Sequence, residues 1–193
     1  MLLKNLLSIE VCHFLTHFLL KSAHEKKLSN INCGDSQVPN ALVLESHSTI
    51  TDTVNEIVWP KLENFLNEKL IPTYSYSRLY QNNNDLKIHK DRPSCEVSVT
   101  LQLGRSHHYS WPIYVDDKRY DLTEGDGVVY FGNEQYHWRN SCDGPEGYYS
   151  GQIFLHYVRE NGKFKEFAGD KRWGKEIPFK RNRSEEMITK WLI

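Results

Sequence analysis

Two helical stretches followed by a run of short strands predict an α+β chain whose sheets close as a sandwich or jelly roll. Three observations carry that expectation. Apolar residues recur at helical spacing as far as Leu70, the period changes to two after Pro72, and turn residues cut the remainder into short strands.

From Ser8 to about Lys21, Ile9, Val11, Cys12, Leu15, Phe18 and Leu19 form one apolar face, with Ser8 as N-cap and Glu10 in the first turn. The stretch from His24 to about Thr49 is rich in Ser, Asn, Asp and Gly without a period and reads as a loop. A second helix is capped by Asp52 and carries Val54, Ile57, Val58, Leu62, Phe65, Leu66 and Leu70 at steps of three and four. Pro60 should kink or divide it. Tyr74 to Tyr80 and Cys95 to Leu103 then alternate as half-buried strands. Trp111 to Val115, Val128 to Phe131 and Gly151 to Val158 follow as further strands. Asp116-Asp117, Gly125-Asp126-Gly127 and Asp143-Gly144-Pro145 mark the turns between them. The 193 residues fit one domain: a helical lead 1–70, a strand-rich core 71–158 and an extension 159–193.

With 24 basic and 25 acidic residues the chain has no global field to draw it to nucleic acid or an anionic membrane. From Arg159 onward ten Lys or Arg face six Asp or Glu, an excess that reads as a solvated tail. Its aromatics Phe164, Phe167, Trp173, Phe179 and Trp191 are expected to fold back as a cover, a nucleic-acid strip being the weaker alternative. Cys12, Cys33, Cys95 and Cys142 lie far apart with no CxxC spacing, which argues for free thiols in a reducing compartment. The apolar N-terminus is interrupted by Lys4, Asn5, Glu10, His13 and His17 too often for a signal peptide or a span. A cytoplasmic protein is the expectation.

The chemistry resides in His89-Lys90-Asp91 and His137. Residues two apart at the end of a strand share a face, so His89 and Asp91 can bind one ion with little loop-closure cost. His137, 46 positions beyond Asp91 (137 minus 91), closes the third corner from another strand. Two imidazoles and one carboxylate with open positions left over form the facial arrangement used by non-haem Fe(II) oxygenases.

The ordered set Arg78-Leu79-Tyr80, His89-Lys90-Asp91, Gly125-Asp126-Gly127-Val128-Val129-Tyr130 and His137 resembles the prolyl 4-hydroxylase-like branch of the 2-oxoglutarate and Fe(II)-dependent dioxygenases, over about Leu70 to Val158. The resemblance implies a double-stranded β-helix core with N-terminal support helices, and iron held by His89, Asp91 and His137. It implies decarboxylation of the cosubstrate 2-oxoglutarate, reduction of dioxygen, and hydroxylation of a C–H bond in a peptide, a protein residue or a free amino acid. Tyr80 matches in position a cosubstrate-contacting tyrosine of that family. The chain departs from the pattern where the family carries a basic residue for the far carboxylate of 2-oxoglutarate: Ser150 stands there, beside Tyr149, Gly151 and Gln152. A buried carboxylate without a partner is costly, so another cation must reach it or the cosubstrate differs.

Arg139 is the foremost substitute, because it shares the face of His137 on an extended strand and can clamp a carboxylate through two nitrogens. Arg78, on the face of Tyr80, comes second, and Gln102 with Thr100 can add neutral hydrogen bonds if Val97, Val99 and Leu101 face outward. Arg92 is a further candidate or a partner of the Asp91 carboxylate. His107-His108 and His156 read as ordinary surface or core residues, and Trp111 and Trp138 as packing or pocket rim. The missing cation motivates an alternative, a non-catalytic jelly-roll module that binds a metal or ligand. Zinc-dependent hydrolysis needs a positioned general base that no residue supplies.

Overall fold

A computed structural model describes residues 1–171 apart from Asn30, Asn32 and His47. The tail aromatics Trp173, Phe179 and Trp191 lie outside the described residues. In chain order the elements are β1 (Leu2–Leu3), α1 (Ile9–Leu28), β2 (Val43–Ser46), α2 (Thr49–Leu66), β3 (Leu70–Gln81), β4 (Leu86–His89), β5 (Val97–Arg105), β6 (Ile113–Val115), β7 (Lys118–Tyr120), β8 (Gly127–Tyr130), β9 (His137–Arg139) and β10 (Tyr149–Arg159). Six strands form one antiparallel sheet in the order β1-β8-β5-β10-β3-β2, and four form a second in the order β4-β9-β6-β7. This is the jelly roll expected of the strand-rich core, with the helices on one side.

Ser8 caps α1 as expected, accepting from the Val11 amide at 3.4 Å. The helix runs seven residues beyond Lys21, to Leu28 (28 minus 21), and its last turns draw on Lys26 and Lys27, which favour a helix C-terminus. Only Cys12, Leu15, Thr16 and Leu19 are buried, whereas Ile9 and Val11 are exposed. A single helix lying on a sheet buries a narrow i, i+3, i+4, i+7 stripe, which places those two outside it. The loop expectation for His24–Thr49 is likewise corrected. The last turns of α1 and the edge strand β2 occupy part of that stretch. Ser48 rather than Asp52 caps α2, accepting from the Thr51 amide at 3.2 Å, and Asp52 instead accepts from the Ser75 hydroxyl at 2.7 Å. Pro60 does not divide α2. It lies on the exposed face, where water can take up the hydrogen bond its missing N–H cannot give.

The alternation along β3, β5 and β10 separates two buried faces rather than a buried and a wet one. Val97, Val99, Leu101 and Leu103 of β5 join Ile153, Leu155 and Tyr157 of β10 and Leu79 of β3 against Leu15, Leu19, Val54, Val58 and Leu62 of the helices. Each such aliphatic side chain contributes roughly 1.5–3 kcal/mol on burial. The other face looks into the jelly roll. There Tyr76, Arg78 and Tyr80 of β3, Ser98, Thr100 and Gln102 of β5, and Gln152, Phe154 and His156 of β10 contact one another and Tyr130 of β8, and Tyr80 and Phe154 cluster with Leu86 of β4 and with Trp111. The outward orientation of Val97, Val99 and Leu101 is therefore the real one, and Gln102 and Thr100 point inward.

The turns obey their residues. Gly125 has φ 84° and its carbonyl accepts from the Leu6 and Leu7 amides at 2.8 and 3.4 Å, tying the N-terminus to the β7–β8 connection. Asp126 beside it is buried and accepts from Lys4 Nζ at 2.6 Å and Thr123 Oγ1 at 2.5 Å. All four cysteines are free. Among the described residues no helix is long and apolar enough to cross a membrane. The segment Lys165–Lys171 packs on β3, where Asp170 accepts from Arg92 Nη2 at 2.9 Å.

Candidate metal centre

His89 ends β4 and His137 begins β9, and the antiparallel register sets them directly opposite each other. Their rings lie 4.2 Å apart between centroids. Asp91 follows β4, its amide donating to the Gly132 carbonyl at 2.8 Å, which turns the carboxylate back toward the pair. His89 Nε2 and His137 Nε2 each stand 3.5 Å from the same oxygen, Asp91 Oδ1. Among the described residues, His89, Asp91 and His137 form one of two groups whose donor atoms all lie within 4.8 Å of one another. The structure thus brings the three sequence-predicted ligands together.

The hydrogen bonds behind the rings fix which nitrogen faces inward. His89 Nδ1 lies 2.7 Å from the Lys87 carbonyl oxygen and His137 Nδ1 lies 3.1 Å from that of Gln135. A carbonyl only accepts, so each Nδ1 carries a hydrogen and each ring turns its Nε2 to Asp91. Two lone pairs aimed at one carboxylate repel it unless a cation stands between them. This donor set fits a divalent ion, and its carbonyl-oriented imidazoles are the arrangement that metal-binding histidines adopt. Without a metal a proton serves instead. Burial opposes a charged His89, but Asp91 and the Lys87 carbonyl raise its pKa. Burial also works against ionised Asp91, yet His137 and His89 hold its carboxyl well below the usual range.

Gly132 was not singled out from the sequence, although a glycine just past a strand signals close backbone approach. A Cβ there would overlap Asp91 Oδ2 and lie 2.7 Å from both the Cys95 carbonyl and Ser98 Oγ. Ser98 sits 3.4 Å from Asp91 Oδ2 and 3.0 Å from His156 Nδ1. His156 belongs to the second donor group, with Asp91 and Cys95. Its burial pushes the imidazole down to about 4, so it is neutral. His107 and His108 are exposed on the loop after β5, as expected of surface residues.

The remaining candidates share the interior. Tyr80 is fully buried and meets Trp111 edge-on at 4.9 Å. Ser150, opposite Tyr80 in the β10–β3 register, is buried and takes a hydrogen bond from Gln102 Nε2 at 3.0 Å. Gln102 Oε1 in turn accepts from Gln152 Nε2 at 3.3 Å, so this corner is a neutral network. Arg139 supplies a charge nearby. Its guanidinium lies 4.8 Å from the Trp111 ring centroid and its Nη1 donates to the Trp111 carbonyl, while Nε and Nη2 are buried with no partner among the described residues. Burial pushes it down to about 10, the neighbouring Tyr80, Tyr148 and Tyr130 acting the other way. Arg78 is also buried, but Asp35 already accepts from its Nη2 at 2.5 Å and Tyr80 from its Nη1 at 3.2 Å. Arg92 is engaged elsewhere, over the Tyr74 ring at 4.4 Å and on Asp170. Trp138 stacks on Tyr114 at 5.2 Å rather than entering the pocket.

No family model and no curated protein matches the sequence. Solved structures do match the fold. A viral collagen prolyl hydroxylase from Paramecium Bursaria Chlorella virus-1, in complex with 2-oxoglutarate, aligns with TM-score 0.56 and 11% identity over 81% of this chain and 94% of its own. A prolyl-4-hydroxylase from Pseudomonas putida gives TM-score 0.53 and 14% identity over 81% and 91%. HygX from Streptomyces hygroscopicus, with nickel and 2-oxoglutarate bound, gives 0.56 and 8% over 81% of each chain. At such identities the likeness is one of architecture. Its strands and supporting helices give this chain the jelly-roll fold found in 2-oxoglutarate and Fe(II)-dependent oxygenases.

Proposed function

We propose that the protein is an Fe(II)- and 2-oxoglutarate-dependent oxygenase that hydroxylates a C–H bond of a peptide, a protein residue or a free amino acid. The observation that carries this reading is a pair of unmet demands inside one barrel. Two imidazole lone pairs converge on one carboxylate and call for a cation. A buried guanidinium with two unpartnered nitrogens calls for an anion. A divalent ion chelated by a dianion such as 2-oxoglutarate answers both.

In this reading His89, Asp91 and His137 hold Fe(II) and leave three positions open. Arg139, with Nε and Nη2 unpartnered among the described residues, would pair with the far carboxylate of 2-oxoglutarate, replacing the cation missing at Ser150. Gln102 and Ser150 offer neutral hydrogen bonds beside it, and Tyr80 walls the same space with its hydroxyl held by Arg78. Fe(II) with 2-oxoglutarate and dioxygen, when bound, supplies the oxidising chemistry. The aromatic lining, Tyr80, Trp111, Tyr148 and Phe154, excludes water and so keeps that chemistry on the substrate. The architecture of the prolyl hydroxylases and of HygX supports this reading.

The test is anaerobic Fe(II) titration followed by 2-oxoglutarate. A visible charge-transfer band and, on admitting oxygen, conversion of 2-oxoglutarate to succinate are expected. Iron uptake with neither band nor succinate would leave a metal-binding module and refute the oxygenase reading.

A further inference from the structure

The segment 33–42, between α1 and β2, passes beside His89. Asp35 organises it: Oδ1 accepts from the Gln37 and Val38 amides at 3.0 and 2.8 Å, and Oδ2 accepts from Arg78 Nη2 at 2.5 Å. Val38 and Ala41 are buried against the interior cluster of Tyr80, Trp111 and Phe154. The Asn40 carbonyl accepts from Gln81 Nε2 at 2.6 Å and Asn84 Nδ2 at 3.2 Å. The turn is therefore tied down on both sides of Gln37, whose side-chain nitrogen lies 3.5 Å from His89 Nε2, the atom aimed at the ion.

The Asp35–Arg78 pair is lopsided. Arg78 is 1% exposed in the barrel wall, whereas Asp35 retains 30% and belongs to a surface segment. A well-packed apolar pair would stabilise such a site as well as an ion pair does. What the ion pair adds is position, since a directed charge-assisted bond fixes where the turn sits. Once a metal occupies the His89 lone pair, the Gln37 carboxamide is free to bond to whatever is bound beside the ion.

We propose that Asp35–Ala41 is a lid on the metal centre, latched by the Asp35–Arg78 ion pair, and that it presents Gln37 as a substrate-positioning residue. The inference rests on the reading of His89, Asp91 and His137 as a metal site. No relation to the cosubstrate is needed for it.

Ni(II) binding by the full chain tests it, measured calorimetrically without turnover. Gln37→Glu should add a carboxylate donor within reach of the ion and tighten Ni(II) about tenfold or more. That gain should vanish in Asp35→Asn/Gln37→Glu, where Asn keeps an acceptor for the turn amides but loses the charge on Arg78. Hydrogen exchange of the peptide spanning residues 33–42 should quicken in Asp35→Asn and be restored by Asp35→Glu. Wild-type protein that binds Ni(II) while Gln37→Glu gains nothing overturns Gln37's role. Exchange and Ni(II) affinity both indifferent to Asp35→Asn overturn the latch. Wild-type protein that takes up no Ni(II) sinks the metal reading and this inference together.

Discussion

His89 and His137, 48 residues apart (137 minus 89), are directly opposed partners in the β4–β9 ladder. Strand register rather than loop conformation thus sets the spacing of the two imidazoles. A ladder fixes Cβ separations at about 4.5–5.5 Å for opposed residues, which is the separation two ligands of one ion require. Asp91 completes the set by a single turn held at Gly132.

Removing Asp91 should therefore remove the site without unmaking the ladder. Asp91→Ala is expected to weaken Fe(II) or Ni(II) binding by more than about 100-fold, beyond the 10–100-fold typical of outer partners of a metal. Titration calorimetry on folded protein, verified by circular dichroism, checks this. Full metal affinity in the variant would contradict it.

Arg139 poses the opposite test, since function and stability should part company. Its unpartnered buried nitrogens cost the cosubstrate-free protein. Arg139→Met should raise the melting temperature of that protein, by about 1 kcal/mol or more in stability. The same change should weaken 2-oxoglutarate binding about 100-fold or more, as expected for losing one side of a buried charge pair. Unchanged cosubstrate affinity would show that another residue holds the far carboxylate.

Gly132→Ala should displace the Asp91 carboxylate, because the added methyl meets backbone as well as side chain. Overpacking of this kind costs about 1–3 kcal/mol. Metal affinity should fall about tenfold or more in parallel. Thermal melts with and without Ni(II) separate the two effects.

Asp126 provides the pH dependence. Burial works to raise its carboxyl, and Lys4 and Thr123 prevail to hold it below the ordinary aspartate value of 3.8. Its contribution is therefore full above pH 3.8 and is lost as pH falls through the lowered folded value. Asp126→Asn should be less stable than wild type near neutrality, by about 1 kcal/mol, because Lys4 is more than half exposed and solvent screens its charge. The gap should narrow as pH drops below 3.8, measured by denaturant midpoints across pH 2 to 7.

The candidate donors were legible because metal ligation calls for particular side chains at a strand end, and His89, Asp91 and His137 carry that pattern in one dimension. The helices were legible from their stripes, but their ends were not. Ser48 and Asp52 both satisfy the rules for a cap, and only the position of Ser75 on β3 gives Asp52 another partner. The contacts of Gly132 and Asp35 were invisible because they depend on what the fold carries past them.

What the amino-acid order determined by itself was the period of each element and the donor set for the ion, since both are set by local geometry and side-chain chemistry. Only the tertiary structure decided which face of β5 is the interior and which of two arginines has an unmet charge. The reason is that helices cover one side of the large sheet while the second sheet covers the other. Both faces are then buried, and alternation alone cannot say which of two buried faces lines the interior of the jelly roll.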